Sequence, residues 1–570
     1  MGEKDIEMKP SSIQISTDAS NEIDLEQYVQ LAINETGFGK FNLKVMVLCS
    51  LVYLNTALSI CSIGFILPSA ACDFQMSTIE KGNINITFLI GMTCGCYFWG
   101  CYAGIKGRIR TLTISLFLQG TFEFFCGIVP HYGFFLLFKF LSGFSLSGQS
   151  GTLFVYLGEC QPTKYKEILL SWLEMAWTLG LIAAPVIGWL IIPLKFDFNT
   201  EPFVFHSWNL FVLICSLPSL KIGFWTLYFI ESPKFLAESM QMSELAVVLG
   251  KIYSENTGNP VEKYFEILAK SENPLHKTLK MNNYKNSNEE SRGKSLRTIV
   301  YSMYTQTISL FKPLHIRRSL NVFILVCCIT ASYYTLMLWF PELFQRFAKY
   351  EIMYPEESAS VCKISKINQF GSNKTLILER DIYDCENSIH DNVFSHTLLL
   401  GLACVPLSII LPLTVKYTGY KIYLSKYSFY TLLHHYFSHM YIQLIRNIFS
   451  ALVICTFLCT IVTIGFFFIR SSTQNLILSC IFEALTSICM SIIFCMIVDL
   501  FPTNLRMMAA ALAAFCARLG SFAGNWIFGY LIDNYCLPLI LIVAAQLFLC
   551  SILSFLTPGR FGQTKAMGNT

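Results

Sequence analysis

The sequence predicts an all-α membrane protein with twelve transmembrane helices in two pseudo-symmetric six-helix halves. Three observations predict it. The 570 residues are 54% hydrophobic and only 14% charged, against about a quarter charged in soluble chains. The apolar residues gather into runs of about 20, the length that spans a bilayer. One pattern, acid-x-x-Pro-Thr-x-x-base, occurs at Glu159–Lys166 and again 340 residues on, at Asp499–Arg506.

The spans fall near residues 44–69, 83–104, 109–129, 134–158, 168–192 and 209–230, then 318–341, 394–415, 447–469, 475–498, 509–531 and 537–557. This divides the chain into an N-terminal tail with a short amphipathic helix (1–43), a first half (44–230), a linker (231–317), a second half (318–557) and a tail (558–570). The echo of "GWL" at Gly188 by "GYL" at Gly529 supports duplication of the halves. Proteins built this way place a solute site near mid-membrane, between the repeats.

Short basic loops orient the bundle. Lys106, Arg108 and Arg110 follow span two, Lys164 and Lys166 follow span four, Lys416 and Lys421 follow span eight, and Arg506 follows span ten. These ends, both termini and the linker are expected in the cytoplasm. The first forty residues have no apolar core, so no cleavable signal is expected and the first span acts as the insertion signal. The net charge of +4 gives no case for nucleic-acid binding. Most of the 22 cysteines lie in apolar runs, where Cys behaves as a small hydrophobe.

Several stretches together resemble a known family. They are "GFGKF" at 37–41, "GFILPSA" at 64–70, "SWLEMAW" at 171–177, "GWLIIP" at 188–193, "FHSWNLFVLICSLPS" at 205–219, "ESPKFL" at 231–236, "SYYTLMLWFP" at 332–341 and "DLFPTNLR" at 499–506. With the twelve spans, they resemble the major facilitator superfamily, and within it the synaptic vesicle glycoprotein 2 branch of invertebrate type, with a short lumenal loop. The resemblance implies a carrier of a small organic solute, charged or neutral, working by alternating access in a plasma or vesicle membrane. The alternative is a non-transporting membrane protein with a trafficking or scaffold role.

The gating loop after span two resembles G-x-x-x-D-x-x-G-R-x-basic through Gly100, Gly107, Arg108 and Arg110, with Gly104 in place of the acid. Its repeat after span eight keeps Gly419 and Lys421, with Lys416 where the acid would be and Tyr420 where the arginine would be. Glu159, Lys166, Asp499 and Arg506 complete the expected gating set. Thr56, Ser59, Met490 and Phe494 stand where vertebrate members of the branch carry acids or ligand-linked residues.

A charge inside the bilayer costs about 2.5–3.5 kcal/mol on insertion scales, so each one needs a reason. Glu123 and Lys139 lie eight residues either side of His131, at the turn between spans three and four. At about 1.5 Å rise per residue they reach one depth, and a structural ion pair is expected. Arg518 is near mid-membrane in span eleven, either bonded between packed helices or facing a cavity as an anion-binding residue. Glu483 is its partner or a proton carrier. Trp177, Glu174, Tyr333 and Tyr334 join them as the expected substrate cavity, because aromatic rings with polar tips suit an organic solute.

The loop 342–393 is expected on the far side of the membrane. It holds Cys362 and Cys385, its only cysteines, and an oxidising compartment favours a disulfide between them. Asn373 begins a glycosylation triplet on the same side. The linker should form amphipathic helices near 234–253 and 259–270, then a polar disordered stretch near 272–295. Residues 425–443 read as an anomalous insert before span nine. Its His434, His435 and His439 lack an acid or Cys to complete a metal site. Its two ends can be encoded by splice-donor-like and acceptor-like codons, so a retained intron is one account of it. No phosphate loop and no nucleophile–base set occur, so neither a nucleotide-driven pump nor an enzyme is expected, nor any cofactor.

Overall fold

The computed structural model describes residues 19–194, 198–200, 203–271, 307–313, 316–354, 360–370, 389–426, 448–501 and 503–556, with Thr305. Twelve long helices stand where twelve spans were expected. The first half comprises α2 (Lys40–Ser69), α3 (Thr78–Lys106), α4 (Arg108–Cys126), α5 (Tyr132–Cys160), α6 (Thr163–Ile191) and α7 (Ser207–Thr226). Outside it, α1 (Ala19–Glu35) precedes α2, while α8 (Pro233–Glu238), α9 (Met242–Thr257) and α10 (Val261–Lys270) occupy the linker. The second half comprises α11 (Ile316–Met353), α13 (Asp391–Lys426), α14 (Ile448–Gly465), α15 (Ser472–Leu500), α16 (Thr503–Leu531) and α17 (Cys536–Leu556), with α12 (Val361–Phe370) in the loop after α11. Seven of the described helices are long and apolar enough to cross a membrane.

The chain divides into two compact units. The smaller holds 1–42, 159–163 and 232–293. Ser232 caps α8 by accepting from the Phe235 amide, with Pro233 in the first turn, where its missing N–H costs nothing. The expected single helix over 234–253 is broken instead. Met240 takes φ 59° and the chain turns before α9 begins. Gly258 ends α9 in the left-handed conformation. Asn256 organises this unit: its amide donates to Gly37 O at 3.1 Å and Asn42 Oδ1 at 2.8 Å, and its oxygen accepts from Phe41 N at 3.1 Å. Tyr264 is fully buried and donates to Ala32 O at 2.9 Å.

The larger unit is the bundle. Duplication of the halves shows in equivalent helix pairs: α4 packs on α7 in the first half, and α14 on α17 in the second. The pairs across the halves also correspond. The helix of span two, α3, packs along that of span eleven, α16. The helix of span five, α6, meets that of span eight, α13, where a Cβ on Gly401 would lie 3.0 Å from Ile182 and Ser408 reaches Met175 Sδ at 3.3 Å.

Three expectations change. Span seven was expected to end at Pro341, but α11 runs on to Met353. Pro341 lies inside the helix with its ring beside Gly64, where a Cβ would stand 3.0 Å from it. The loop expected after span eight is helix: α13 continues through Lys416 and Gly419 to Lys426, a stretch with one glycine and no proline to stop it. A short antiparallel hairpin, β1 (Phe198–Thr200) with β2 (Phe203–Phe205), adds two strands to the expected all-α fold, pairing Asn199 with Val204. The stretch near 272–295 and most of the insert at 425–443 lie outside the described residues.

Candidate functional site

The six residues expected to line a substrate cavity come together in one layer between the halves. Trp177 of α6 donates its ring N–H to the Tyr333 hydroxyl of α11 at 3.3 Å. The Tyr333 hydroxyl is in turn a neighbour of Glu483 of α15. Tyr334 stands edge-on to Tyr333, ring centroids 5.1 Å apart. Arg518 of α16 lies over the Tyr334 ring, 5.5 Å from its centroid. Glu174, one turn before Trp177, is an electrostatic neighbour of Tyr53.

Tyr53 and Cys96 were missed by the sequence reading. Tyr53 of α2 packs its ring on Trp177, centroids 5.1 Å apart, and neighbours both Glu174 and Arg518. Cys96 of α3 neighbours Arg518. The available signal for Tyr53 was a polar-tipped aromatic deep in an apolar span, the criterion that picked out the Tyr333 pair. Trp177, Tyr333 and Tyr334 are buried. An open cleft of about 400 Å³ lies elsewhere, at the end of α11, lined by Ala348, Glu351, Ile352, His390, Asp391 and Asn392.

A second cross-half cluster lies at the end of the bundle where α2 gives way to α3. Lys81 of α3 binds both carboxylate oxygens of Glu342 of α11, at 2.8 and 2.9 Å. Arg346, one turn along, holds the same carboxylate at 3.1 Å, Asp533 at 2.8 Å and the Thr78 hydroxyl at 3.1 Å. Beneath it, α3 and α16 approach at Gly82 and Gly529, where a Cβ on either glycine would stand 3.3–3.4 Å from the other's Cα. The sequence reading named none of these charges, because it placed Glu342 and Arg346 in a loop.

Lys139 pairs with Glu123, and Ser142 donates to the other oxygen of that carboxylate at 2.7 Å. Both charged side chains are within 1% of full burial. In the stretch expected to gate, Gly107 joins α3 to α4 at φ 104°. Glu231, from "ESPKFL", caps α4 by accepting from the Arg108 and Ile109 amides at 2.8 and 3.1 Å. Arg108 reaches back to Ala103 O at 3.4 Å, while Arg110 is exposed. A Cβ at Gly100 or Gly104 would meet nothing within 4 Å. In the smaller unit, Glu159 accepts from the Ser232 hydroxyl. In the bundle, the Lys166 stem covers Gly158. The side chains of Asp499 and Arg506 and the surroundings of Gly419 lie outside the described residues.

The disulfide expectation is corrected. Cys362 bonds Cys536, not Cys385. The reason is tertiary: α12 docks on α17, bringing Cys362 to the first residue of the last span, Cα–Cα 5.4 Å. The loop sequence alone pairs Cys362 with Cys385. Cys72 is disulfide-bonded as well. Cys385 and Asn373 lie outside the described residues. Among the described residues no group of His, Cys, Asp or Glu could hold a metal ion.

The same architecture occurs in solved proteins. The inward open xylose transporter XylE from E. coli aligns with 91% of this chain and 97% of its own, at 13% identity and a TM-score of 0.58. The XylE proton:xylose symporter of the major facilitator superfamily, bound to 6-bromo-6-deoxy-D-glucose, gives 0.59 over 91% and 96%. Residues 53–336 match the family described as sugar (and other) transporter. Over that stretch the chain is similar to this transporter family, and its fold is that of the major facilitator transporters. Synaptic vesicle glycoprotein 2C of Rattus norvegicus is 29% identical over 330 residues, 57% of this chain and 45% of that protein. Synaptic vesicle glycoprotein 2A of Homo sapiens is 29% identical over 327 residues, 56% and 44% of the two. The chain thus spans about half the length of the curated relatives it matches.

Proposed function

We propose that this protein carries a small organic solute across a membrane by alternating access, with the Tyr53–Trp177–Tyr333–Glu483–Arg518 layer as its solute site. The observation that carries the reading is the Trp177–Tyr333 hydrogen bond. It joins the two halves at the layer that holds Glu174, Glu483 and the Arg518 guanidinium. A solute there touches both halves, so its binding is coupled to their rocking.

The end closed by Lys81, Glu342 and Arg346 is exofacial or lumenal on this reading. The basic ends, both termini and the linker are cytoplasmic, as the loop charges favour. The relatives' name, synaptic vesicle glycoprotein, supports a vesicle membrane over the plasma membrane and supports glycosylation at Asn373. One observation favours a second reading, a non-transporting trafficking or scaffold protein. Gly104 supplies no acid, and a Cβ there would meet nothing within 4 Å.

The test is uptake into liposomes holding the purified protein, across sugars, amino acids, organic anions and organic cations, with and without a pH gradient. Saturable uptake that falls at least tenfold in Trp177→Ala supports the carrier. A monodisperse, folded protein that moves no solute in either condition overturns it.

A further inference from the structure

Arg518 is the charge in the inter-half layer whose balance is missing. Among the described residues no carboxylate forms an ion pair with it, and its Nη1 is buried without a hydrogen-bond partner. Its neighbours are the Tyr334 ring and hydroxyl, the Cys96 thiol and the Tyr53 hydroxyl, all neutral donors or weak dipoles. A ring face offsets part of the cost of a desolvated cation. It does not replace a counter-charge.

The two acids of the layer stand differently. Glu483 has the Tyr333 hydroxyl as a neighbour, and its Oε2 is buried without a hydrogen-bond partner. A carboxyl group can meet the cost of burial by holding a proton. A guanidinium cannot shed its charge at any accessible pH, and its planar fork matches a carboxylate with two parallel bonds. The charge that stays unmet in this layer is therefore positive, and an anion meets it. The groups around it come from α2, α3 and α11, hence from both halves. The walls beside it are flat rings, with Tyr53 on Trp177 and Tyr334 on Tyr333.

We propose that this layer binds an organic anion with an aromatic body, its carboxylate on the Arg518 guanidinium and its body against Tyr53, Trp177 and Tyr334. The proposal rests on reading this layer as the solute site and adds the substrate class. Acid and base in one layer do not make it a site for simple sugars, which would leave the guanidinium charge uncompensated.

Three probes with one body and three charges test it: phenylacetate, phenylacetamide and phenethylamine, titrated onto the full chain in nanodiscs by calorimetry. Indole-3-acetate and its amide repeat the comparison with a larger ring. Charge-assisted bonding predicts that the carboxylates bind at least about tenfold tighter than their amides, and the amine no tighter than its amide. Arg518→Gln removes the preference and Arg518→Lys keeps part of it. Equal binding of the probes, preference for the amine, no binding at all, or a preference that survives Arg518→Gln overturns the proposal. The wild-type comparison decides even if Arg518→Gln fails to fold. Anion preference without flux of any solute overturns the carrier reading and keeps this site. Flux of neutral solutes without anion preference does the reverse.

Discussion

Lys81 donates to both carboxylate oxygens of Glu342, at 2.8 and 2.9 Å, and so ties the second span of one half to the seventh span of the other. Glu342 is shared with Arg346, which also reaches Thr78 across the same boundary. Both carboxylate oxygens are occupied by cations, in a place with little water. Removing one partner from such a cluster leaves an uncompensated charge, at a cost of about 3–5 kcal/mol. The closed end then loses that advantage over the open one. Lys81→Ala should therefore raise labelling of an Asn85→Cys variant by a membrane-impermeant maleimide several-fold, read peptide by peptide in mass spectrometry. Lys81→Arg should keep it low. Labelling that ignores both changes would show that the cluster does not hold this end shut.

The Glu123–Lys139 pair makes a different prediction, because both of its residues belong to the first half. Neither side chain is exposed beyond 1%, and Ser142 satisfies the remaining oxygen. Glu123→Ala or Lys139→Ala should lower stability by about 3–5 kcal/mol, seen as lost expression or a lowered Tm. Exchanging the two residues should recover most of it. An exchange that restores the fold but abolishes uptake would move this pair from structure to mechanism.

Cys362–Cys536 fastens the loop helix α12 to the head of the last span. Non-reducing peptide mapping should recover this cross-link. Cys362→Ser should lower stability by about 2–4 kcal/mol, the usual range for a lost native bridge. Recovery of a Cys362–Cys385 peptide instead would return the pairing to the one the loop alone suggested.

What the sequence made legible follows distance along the chain. Glu123 and Lys139 could be paired on paper because a tight turn at His131 makes their depths equal by counting. The repeated acid-x-x-Pro-Thr-x-x-base motif located the halves for the same reason: its spacing is local and its copies are identical in form. The central layer was half legible. Trp177 and the tyrosine pair announced themselves as polar-tipped aromatics in apolar runs, but Tyr53 gains its meaning only from a ring contact across two helices. The Lys81 cluster was hidden by a boundary error. Pro341 stands at the expected end of the span, yet α11 continues past it, beside Gly64, and carries Glu342 and Arg346 inward. Cys536 was hidden because its partner is 174 residues away.

Tyr264 gives the smaller unit a pH limit. Burial, then the Glu35 charge, push its phenol up. The folded form therefore holds the phenol proton more tightly than the unfolded form, whose value is about 10. The stability tied to that proton is complete below about pH 10 and is lost as the pH rises above it. Tyr264→Phe should cost about 1 kcal/mol at neutral pH, for the bond to Ala32 O. It should also flatten the fall above pH 10, followed by amide exchange in α1 and α10. An equally steep fall in the variant would assign the limit to other groups.

Gly107 is the last position where backbone and side chain give one answer. Its φ of 104° lies where residues with a side chain are strained, by about 1–3 kcal/mol. A Cβ there would also collide with the Glu231 carboxylate. That carboxylate accepts from the first two amides of α4, where a helix start favours negative charge. Gly107→Ala should therefore carry two costs, the strain and the displaced cap, and Glu231→Gln only part of the second. The order expected in Tm is wild type, then Glu231→Gln, then Gly107→Ala. If Gly107→Ala equals wild type, the turn between spans two and three has another conformation, and the cap from Glu231 is not what holds it.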